Sequence, residues 1–236
     1  MKAIVIIVGT LVLLCLGAPA WADFIENFDS YAAGSQMHGQ GGWAGWGGDA
    51  NAGALVSGQF SLSNPNSVAI TGASDLTHSW TNMTSGTWEV RAMQYVPTGA
   101  TGETYFILMN KYITGFEWSG ELKFDLVAGK AVDDFAPDPK VTLSIVRDKW
   151  IEIKQVVDLE ANTVQVYYNG GLLGSHRWYD ATNPNQQKAI EAIDLFANNA
   201  APVYYDDISF TLVPEPVTMT LMLAGLAGMV LRRKKV

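Results

Sequence analysis

Thr87-Trp88-Glu89-Val90-Arg91-Ala92-Met93-Gln94-Tyr95-Val96, stopped by Pro97-Thr98-Gly99, carries a strict two-residue alternation. Trp88, Val90 and Val96 fall on one side of a two-residue period, and Glu89, Arg91, Met93 and Tyr95 on the other. A helix of this composition would mix the two sets, whereas an extended strand separates them into a core face and an outer face. Two further stretches repeat the pattern. Lys149–Leu159 places Ile151, Ile153 and Val157 opposite Trp150, Glu152 and Lys154. After a turn at Glu160-Ala161-Asn162, Thr163–Asn169 sets Val164, Val166 and Tyr168 against Gln165 and Tyr167 and ends in Gly170-Gly171. These two read as the arms of a hairpin.

Working outward, other short runs are divided by Gly, Asn, Asp, Ser and Pro. Strands are predicted at Asp23–Phe28, Ala54–Ser57, Gln59–Leu62, Ser67–Ile70, Glu103–Tyr112, Phe116–Leu126, Val141–Val146, Ala189–Phe196 and Val203–Leu212. In Phe116–Leu126 the period assigns Trp118, Leu122, Phe124 and Leu126 to the core and Glu121, Lys123 and Asp125 to the outside. Glu103–Tyr112 is apolar on both faces, so Tyr105, Ile107 and Met109 are expected beneath a loop. Ser30–Gly53 is a long Gly-rich loop whose Trp43 and Trp46 serve as ligand platforms or as plugs pinning the loop to the core. With about a dozen strands and no crossover helix, the expected architecture is all-β: two stacked antiparallel sheets.

Both ends carry processing signals. Lys2, the apolar run Ala3–Gly17 and Ala20-Trp21-Ala22 follow the order of a secretory signal, with cleavage expected after Ala22. The single cysteine, Cys15, lies inside that segment behind Leu14, so the mature chain has no thiol for disulfides, thiolate metal sites or nucleophilic catalysis. At the other end, Val213-Pro214-Glu215-Pro216 precedes an apolar run of 15 residues, Val217–Leu231, and then Arg232-Arg233-Lys234-Lys235. At ~1.5 Å per residue that run spans roughly 22 Å, short of a ~30 Å hydrocarbon core, which suits a temporary stop-transfer anchor with its basic end cytoplasmic.

Pro214-Glu215-Pro216, the short apolar segment and the basic cluster together resemble the PEP-CTERM sorting signal of Gram-negative bacteria. That resemblance implies processing by an exosortase, residence in the inner membrane beforehand, and a final place at the cell surface or in an extracellular matrix rich in exopolysaccharide. Such a motif is an address and does not state what the body does. The domain boundaries that follow are 1–22 for the signal peptide, 23–212 for the sandwich and 213–236 for the sorting segment. The body also resembles concanavalin A-like lectin/glucanase sandwiches, through Asp29-Ser30-Tyr31, Gly39-Gln40-Gly41-Gly42-Trp43, Asn169-Gly170-Gly171 and Tyr204-Tyr205-Asp206-Asp207-Ile208. This implies a jelly roll with a concave sheet face on which relatives bind or cleave sugars.

Residues 23–212 hold 22 Asp and Glu against 10 Lys and Arg. An acidic surface of this kind gains nothing from counterion release, which argues against nucleic-acid binding. Carbohydrate suits the outward set Arg91, Tyr95, Glu121, Trp150, Glu152, Gln165 and Tyr167, because aromatic rings stack on sugar C–H faces while fixed polar groups meet the hydroxyls. Glu26 shares a face with Phe24 and Phe28, and Asp206 a face with Ile208, Phe210 and Leu212. With Asp29 they form a candidate structural calcium site, the alternative being carboxylates solvated or ion-paired at strand mouths.

Catalytic patterns are sparse. No E-x-D-x-x-E occurs: Glu117 and Glu121 stand apart, Glu191 and Asp194 lack a third member, and a pairing of Glu121 with Glu152 across strands stays open. His38, His78 and His176 are dispersed, and Asp133, Asp134 and Asp138 read as a solvated acidic loop, with a weak calcium site behind that reading. The expectation is a non-catalytic, polysaccharide-contacting surface protein; a glycan hydrolase or lyase and a purely structural module are the alternatives.

Overall fold

The alternation at residues 87–95 survives intact, with Trp88, Val90, Ala92 and Gln94 buried and the intervening residues half-buried on the other side. The computed structural model describes residues 24–214. The expected signal peptide and the sorting segment beyond Pro214, including Glu215 and Pro216, lie outside the described residues.

Among the described residues, fifteen strands make two antiparallel sheets. The first runs in the order β13 (Gly171–Arg177), β12 (Thr163–Tyr168), β11 (Trp150–Asp158), β6 (Thr87–Tyr95), β15 (Ala200–Val213), β4 (Ser67–Gly72) and β3 (Leu55–Ser57), with β1 (Phe24–Glu26) also on β15. The second runs β10 (Thr142–Ser144), β9 (Lys130–Asp133), β8 (Glu117–Asp125), β7 (Glu103–Lys111), β14 (Ala192–Asn198), β5 (Asp75–Ser79) and β2 (Trp43–Gly45). The two sheets stack face to face into a β-sandwich, as the alternation predicted. Between them lie Trp88, Phe106, Leu122, Phe124, Val166, Tyr205 and Phe210, all essentially inaccessible to water. Burying a side chain of this size contributes about 1.5–3 kcal/mol.

The hairpin of β11 and β12 forms as expected, with Val157 opposite Val164 and Ile153 opposite Tyr168. Strands β5, β9 and β13 were not anticipated, and each is short or interrupted by glycine. Conversely, the strand expected at Gln59–Leu62 is a loop, because Leu62 and Ser63 turn their N–H groups onto Asp206 instead of a neighbouring strand. The Gly-rich segment contains β2 and two 3-10 turns, Trp46–Gly48 and Ala50–Ala52. Trp43 is a plug: it is buried, and its indole N–H reaches Glu26 at 3.3 Å.

Two bulges overturn face assignments made from strict alternation. On β8, Leu108 faces Gly120 but Met109 faces Trp118, so Ser119 is the extra residue. One inserted residue reverses parity, and Trp118 emerges on the outer face, 39 % exposed, instead of entering the core. On β15, Asp206 faces Met93 and Ser209 faces Arg91, leaving Asp207 and Ile208 opposite Ala92 alone. Asp207 takes the left-handed φ of 46° there. Asp206 therefore leaves the face of Ile208 and Phe210 for the outer one.

Candidate functional site: an aromatic-walled acidic groove

The outer face of the second sheet can be laid out in rows from its strand pairing. One row reads Asp75, Phe196, Tyr105, Lys123 across β5, β14, β7 and β8. The next reads Thr77, Asp194, Ile107, Glu121, and the third Ser79, Ala192, Met109, Trp118. Ile107 and Met109 are buried under a small second cluster with Trp46, Tyr105, Tyr112 and Phe196. Trp46 of the Gly-rich segment and neighbouring aromatic rings thus shelter Ile107 and Met109, while Tyr105, expected beneath the loop with them, stays half-buried.

Trp46 reaches this face because the chain turns sharply behind it. Gly47 and Gly48 have φ of 60° and 84°, a region that side chains with Cβ rarely adopt. The Tyr112 hydroxyl accepts the Gly47 N–H at 3.3 Å and lies 3.0 Å from the Thr77 hydroxyl, which donates to Ala44 O at 3.1 Å. Trp46 lies parallel to Trp118, with centroids 5.8 Å apart and 3° between planes, and is flanked by Phe116 at 4.8 Å. The bulge at Ser119 and the turn at Gly47 thereby build one aromatic wall.

The wall bounds a groove of about 440 Å³ whose floor carries Asp75, Asp194 and Glu121 beside Tyr105, Ile107 and Phe196. Asp194 is 2 % exposed, and one Oδ on each of Asp75 and Asp194 is buried without a protein donor. The two carboxyls sit diagonally on neighbouring strands of the same face, so a negative charge on Asp75 disfavours one on Asp194. Burial, then the charge and hydrogen bond of Asp75, push Asp194 well above the usual carboxylate range; Asp75 is raised by burial, against its bond to Asp194. Glu121 is raised as well, by burial and by Asp134 and Asp133, while Lys123 and Lys140 oppose.

Trp118 also lines a second cavity of about 390 Å³ with Phe135, Trp178 and His176. Asp133, expected in a solvated loop, is instead fully buried; it accepts Phe135 N–H at 3.1 Å and faces His176 Nε2 at 3.4 Å. Burial pulls the His176 imidazole down, but hydrogen bonds to Asp133 and the backbone win, and it is raised.

The residues expected to bind sugar are divided by the strand order. Arg91, Tyr95, Trp150, Glu152, Gln165 and Tyr167 lie on β6, β11 and β12 of the first sheet, while Glu121 lies on β8 of the second. Glu121 and Glu152 therefore occupy different sheets and do not pair. The first set is largely self-satisfied: Arg91 bonds Glu89 at 2.7 Å and also Glu152, Lys154 lies 4.4 Å over the Tyr167 ring, and Tyr167 bonds Gln165 at 3.2 Å. Tyr95 stacks beneath Phe60 at 4.4 Å and lies 5.5 Å from Trp150. Asp75 escaped notice in the sequence because its strand was missed. Asp194 was readable: Ile193 and Leu195 point inward, so the residue between them must face out.

The three candidate calcium ligands are not gathered. Phe24 pairs with Phe210 and Glu26 with Ile208, so the first and last strands do lie side by side. Glu26 stays on the core side, where it accepts from Phe28 N, Tyr31 Oη and the Trp43 indole. Asp206, on the opposite face after the bulge, accepts from Leu62 N, Ser63 N, Ser63 Oγ and Asp207 N. Asp29 holds Asn66 N and the Asn27 amide. Each carboxylate is thus engaged by its own set of protein donors and not by a site shared with the other two. Among the described residues no cluster of three or more His, Cys, Asp or Glu has metal-binding geometry.

No family model matches the sequence, and no curated protein matches it. Solved structures do share the fold. Cellulose induced protein, Cip1, is 17 % identical with a TM-score of 0.52, over 80 % of this chain and 96 % of that one. A sialidase is 11 % identical with a TM-score of 0.55, over 81 % of this chain, and Trypanosoma rangeli sialidase is 11 % identical with a TM-score of 0.52, over 80 %. This chain spans only 18 % and 30 % of those two sialidase chains. At such identities the likeness defines a class of protein, the two-sheet jelly-roll sandwich, and goes no further.

Proposed function

We propose that this is an exported cell-surface or matrix protein whose groove on the outer face of the second sheet binds polysaccharide. The observation that carries the reading is the parallel Trp46–Trp118 wall standing over a carboxyl-lined floor. Apolar ring faces next to fixed hydrogen-bonding groups match the two surfaces of a pyranose. Carbohydrate also figures in the names of Cip1 and of the Trypanosoma rangeli sialidase complex, and there it belongs to those proteins. Export follows from the Ala20-Trp21-Ala22 site, and exosortase sorting from Pro214-Glu215-Pro216.

Affinity electrophoresis of the purified chain through gels containing individual polysaccharides tests the binding reading. Retardation by at least one polysaccharide, lost in Trp118→Ala, is expected. Mobility unchanged by every polysaccharide, or retardation indifferent to Trp118, would sink it. N-terminal sequencing of the secreted form, expected to begin at Asp23, tests export.

A further inference from the structure

We propose that the groove selects a cationic glycan, a polymer of amino sugars with free amines, over neutral and acidic chains. This rests on the carbohydrate-binding reading of the same site and adds the charge of its ligand.

The floor of the groove is short of hydrogen-bond donors. Asp194 lines it, is only 2 % exposed, and has no protein donor on Oδ1; Asp75 Oδ1 is likewise buried and without one. Buried polar atoms in folded proteins ordinarily have partners, and leaving one without costs stability. Asp75 and Glu121 are half-buried, so the floor stays open to a ligand that brings the missing donors.

Nor does a basic side chain offset these carboxyls. Among the described residues no Lys or Arg lines the groove. The two lysines whose charge reaches Glu121 are committed elsewhere. Lys123 Nζ lies 2.6 Å from Glu103, and Lys140 Nζ donates to Asp134 O at 2.6 Å and to its carboxylate at 3.4 Å. Burial raises all three floor carboxyls, and a cation placed beside them favours their charged forms.

The aromatic wall decides the kind of cation. A hydrated metal ion gains nothing from apolar indole faces, and no group of three or more His, Cys, Asp or Glu among the described residues has metal-binding geometry. An ammonium on a carbon frame gains twice: the ring faces of Trp46 and Trp118 attract its charge, and the carboxyl oxygens accept its N–H groups. A lysine chain carries the ammonium without a flat apolar face. A pyranose bearing an amine has both, and lays its C–H face on Trp118 while the amine meets the floor. Trp118 also lines the second cavity, beside His176 and Arg177, so a chain of several sugars can cross it. Uronate and sulfated chains meet like charge on the floor and are rejected.

Calorimetry at pH 6, where the sugar amines carry their protons, compares a glucosamine hexamer, the N-acetylated hexamer of the same backbone, cellohexaose and hexalysine on the full chain. The glucosamine hexamer should bind at least about 10-fold more tightly than either neutral hexamer, the effect of one charge-assisted hydrogen bond, and should weaken as salt is raised. Asp75→Asn and Glu121→Gln should each bring that ratio down several-fold with the thermal melt intact. The more accessible Glu121→Gln decides the matter should Asp75→Asn fail to fold. Trp118→Ala should remove binding of the glucosamine hexamer. Neutral hexamers binding as tightly as the amine form, or a ratio unmoved by Asp75→Asn and Glu121→Gln, overturns the charge selection and leaves the binding reading standing. Hexalysine binding as tightly as the glucosamine hexamer, or amine binding that survives Trp118→Ala, assigns the attraction to the overall negative charge of the chain and overturns the selection too. Failure of every saccharide to bind overturns both readings.

Discussion

Asp206→Ala tests how the loop over the first sheet is held. The Asp206 carboxylate accepts Leu62 N–H at 2.7 Å, Ser63 N–H at 3.1 Å, the Ser63 hydroxyl at 3.1 Å and Asp207 N–H at 2.8 Å. Hydrogen bonds to a charged acceptor contribute ~1.5–3 kcal/mol each, but Leu62 and Ser63 sit at the surface, where water replaces part of the loss. A destabilisation of about 2–3 kcal/mol is expected at pH 7.5. Burial pushes Asp206 up to about 6, against the pull of the Leu62 and Asp207 N–H groups. The folded protein thus binds more protons than the unfolded chain between about pH 4 and pH 6. Stability contributed by Asp206 is consequently present in acid and lost as pH rises through about 6. The full swing would be about 3 kcal/mol, reduced to about 2 by water at the loop edge. Urea unfolding of wild type and variant at pH 4.5 and 7.5 measures both quantities. The variant should lose most of the acid-side gain, so the gap between the two proteins widens at pH 4.5. Identical pH dependence in the two proteins, or a loss below about 0.5 kcal/mol at both pH values, would refute the reasoning.

Three further outcomes are expected. Gly120→Ala should destabilise by about 1–3 kcal/mol in thermal melts, since its Cβ would sit 2.0 Å from Gln155 Oε1 in the packed interior. Asp194→Asn should leave stability near wild type in acid and raise it relative to wild type in alkali. The folded-state proton affinity of Asp194 is elevated, so its contribution falls away as pH rises through the folded titration, and the amide has nothing to lose. Calcium at millimolar concentration should not shift the melting temperature relative to EDTA, because Glu26, Asp29 and Asp206 already accept from separate protein donors; a rise of several degrees would restore the calcium site.

The all-β class was readable from the chain alone because a two-residue apolar period has only one regular solution. Residues 87–96 and the hairpin of 150–168 kept the faces that period assigned. Double-sided burial of Ile107 and Met109 was readable for the same reason, although Tyr105 stays half-buried. What alternation cannot report is an inserted residue. Single bulges at Ser119 and Asp207 sent Trp118 outward into the groove and carried Asp206 away from Glu26. Nor does a local pattern say which strands are neighbours. Asp75 and Asp194 are 119 positions apart in the chain, and Glu121 was grouped with Glu152 although the two belong to different sheets. Faces are set by nearest-neighbour geometry along a strand, and so they lie in the sequence. The groove is set by non-local pairing and by parity at two bulges, and only the folded sheets decide those.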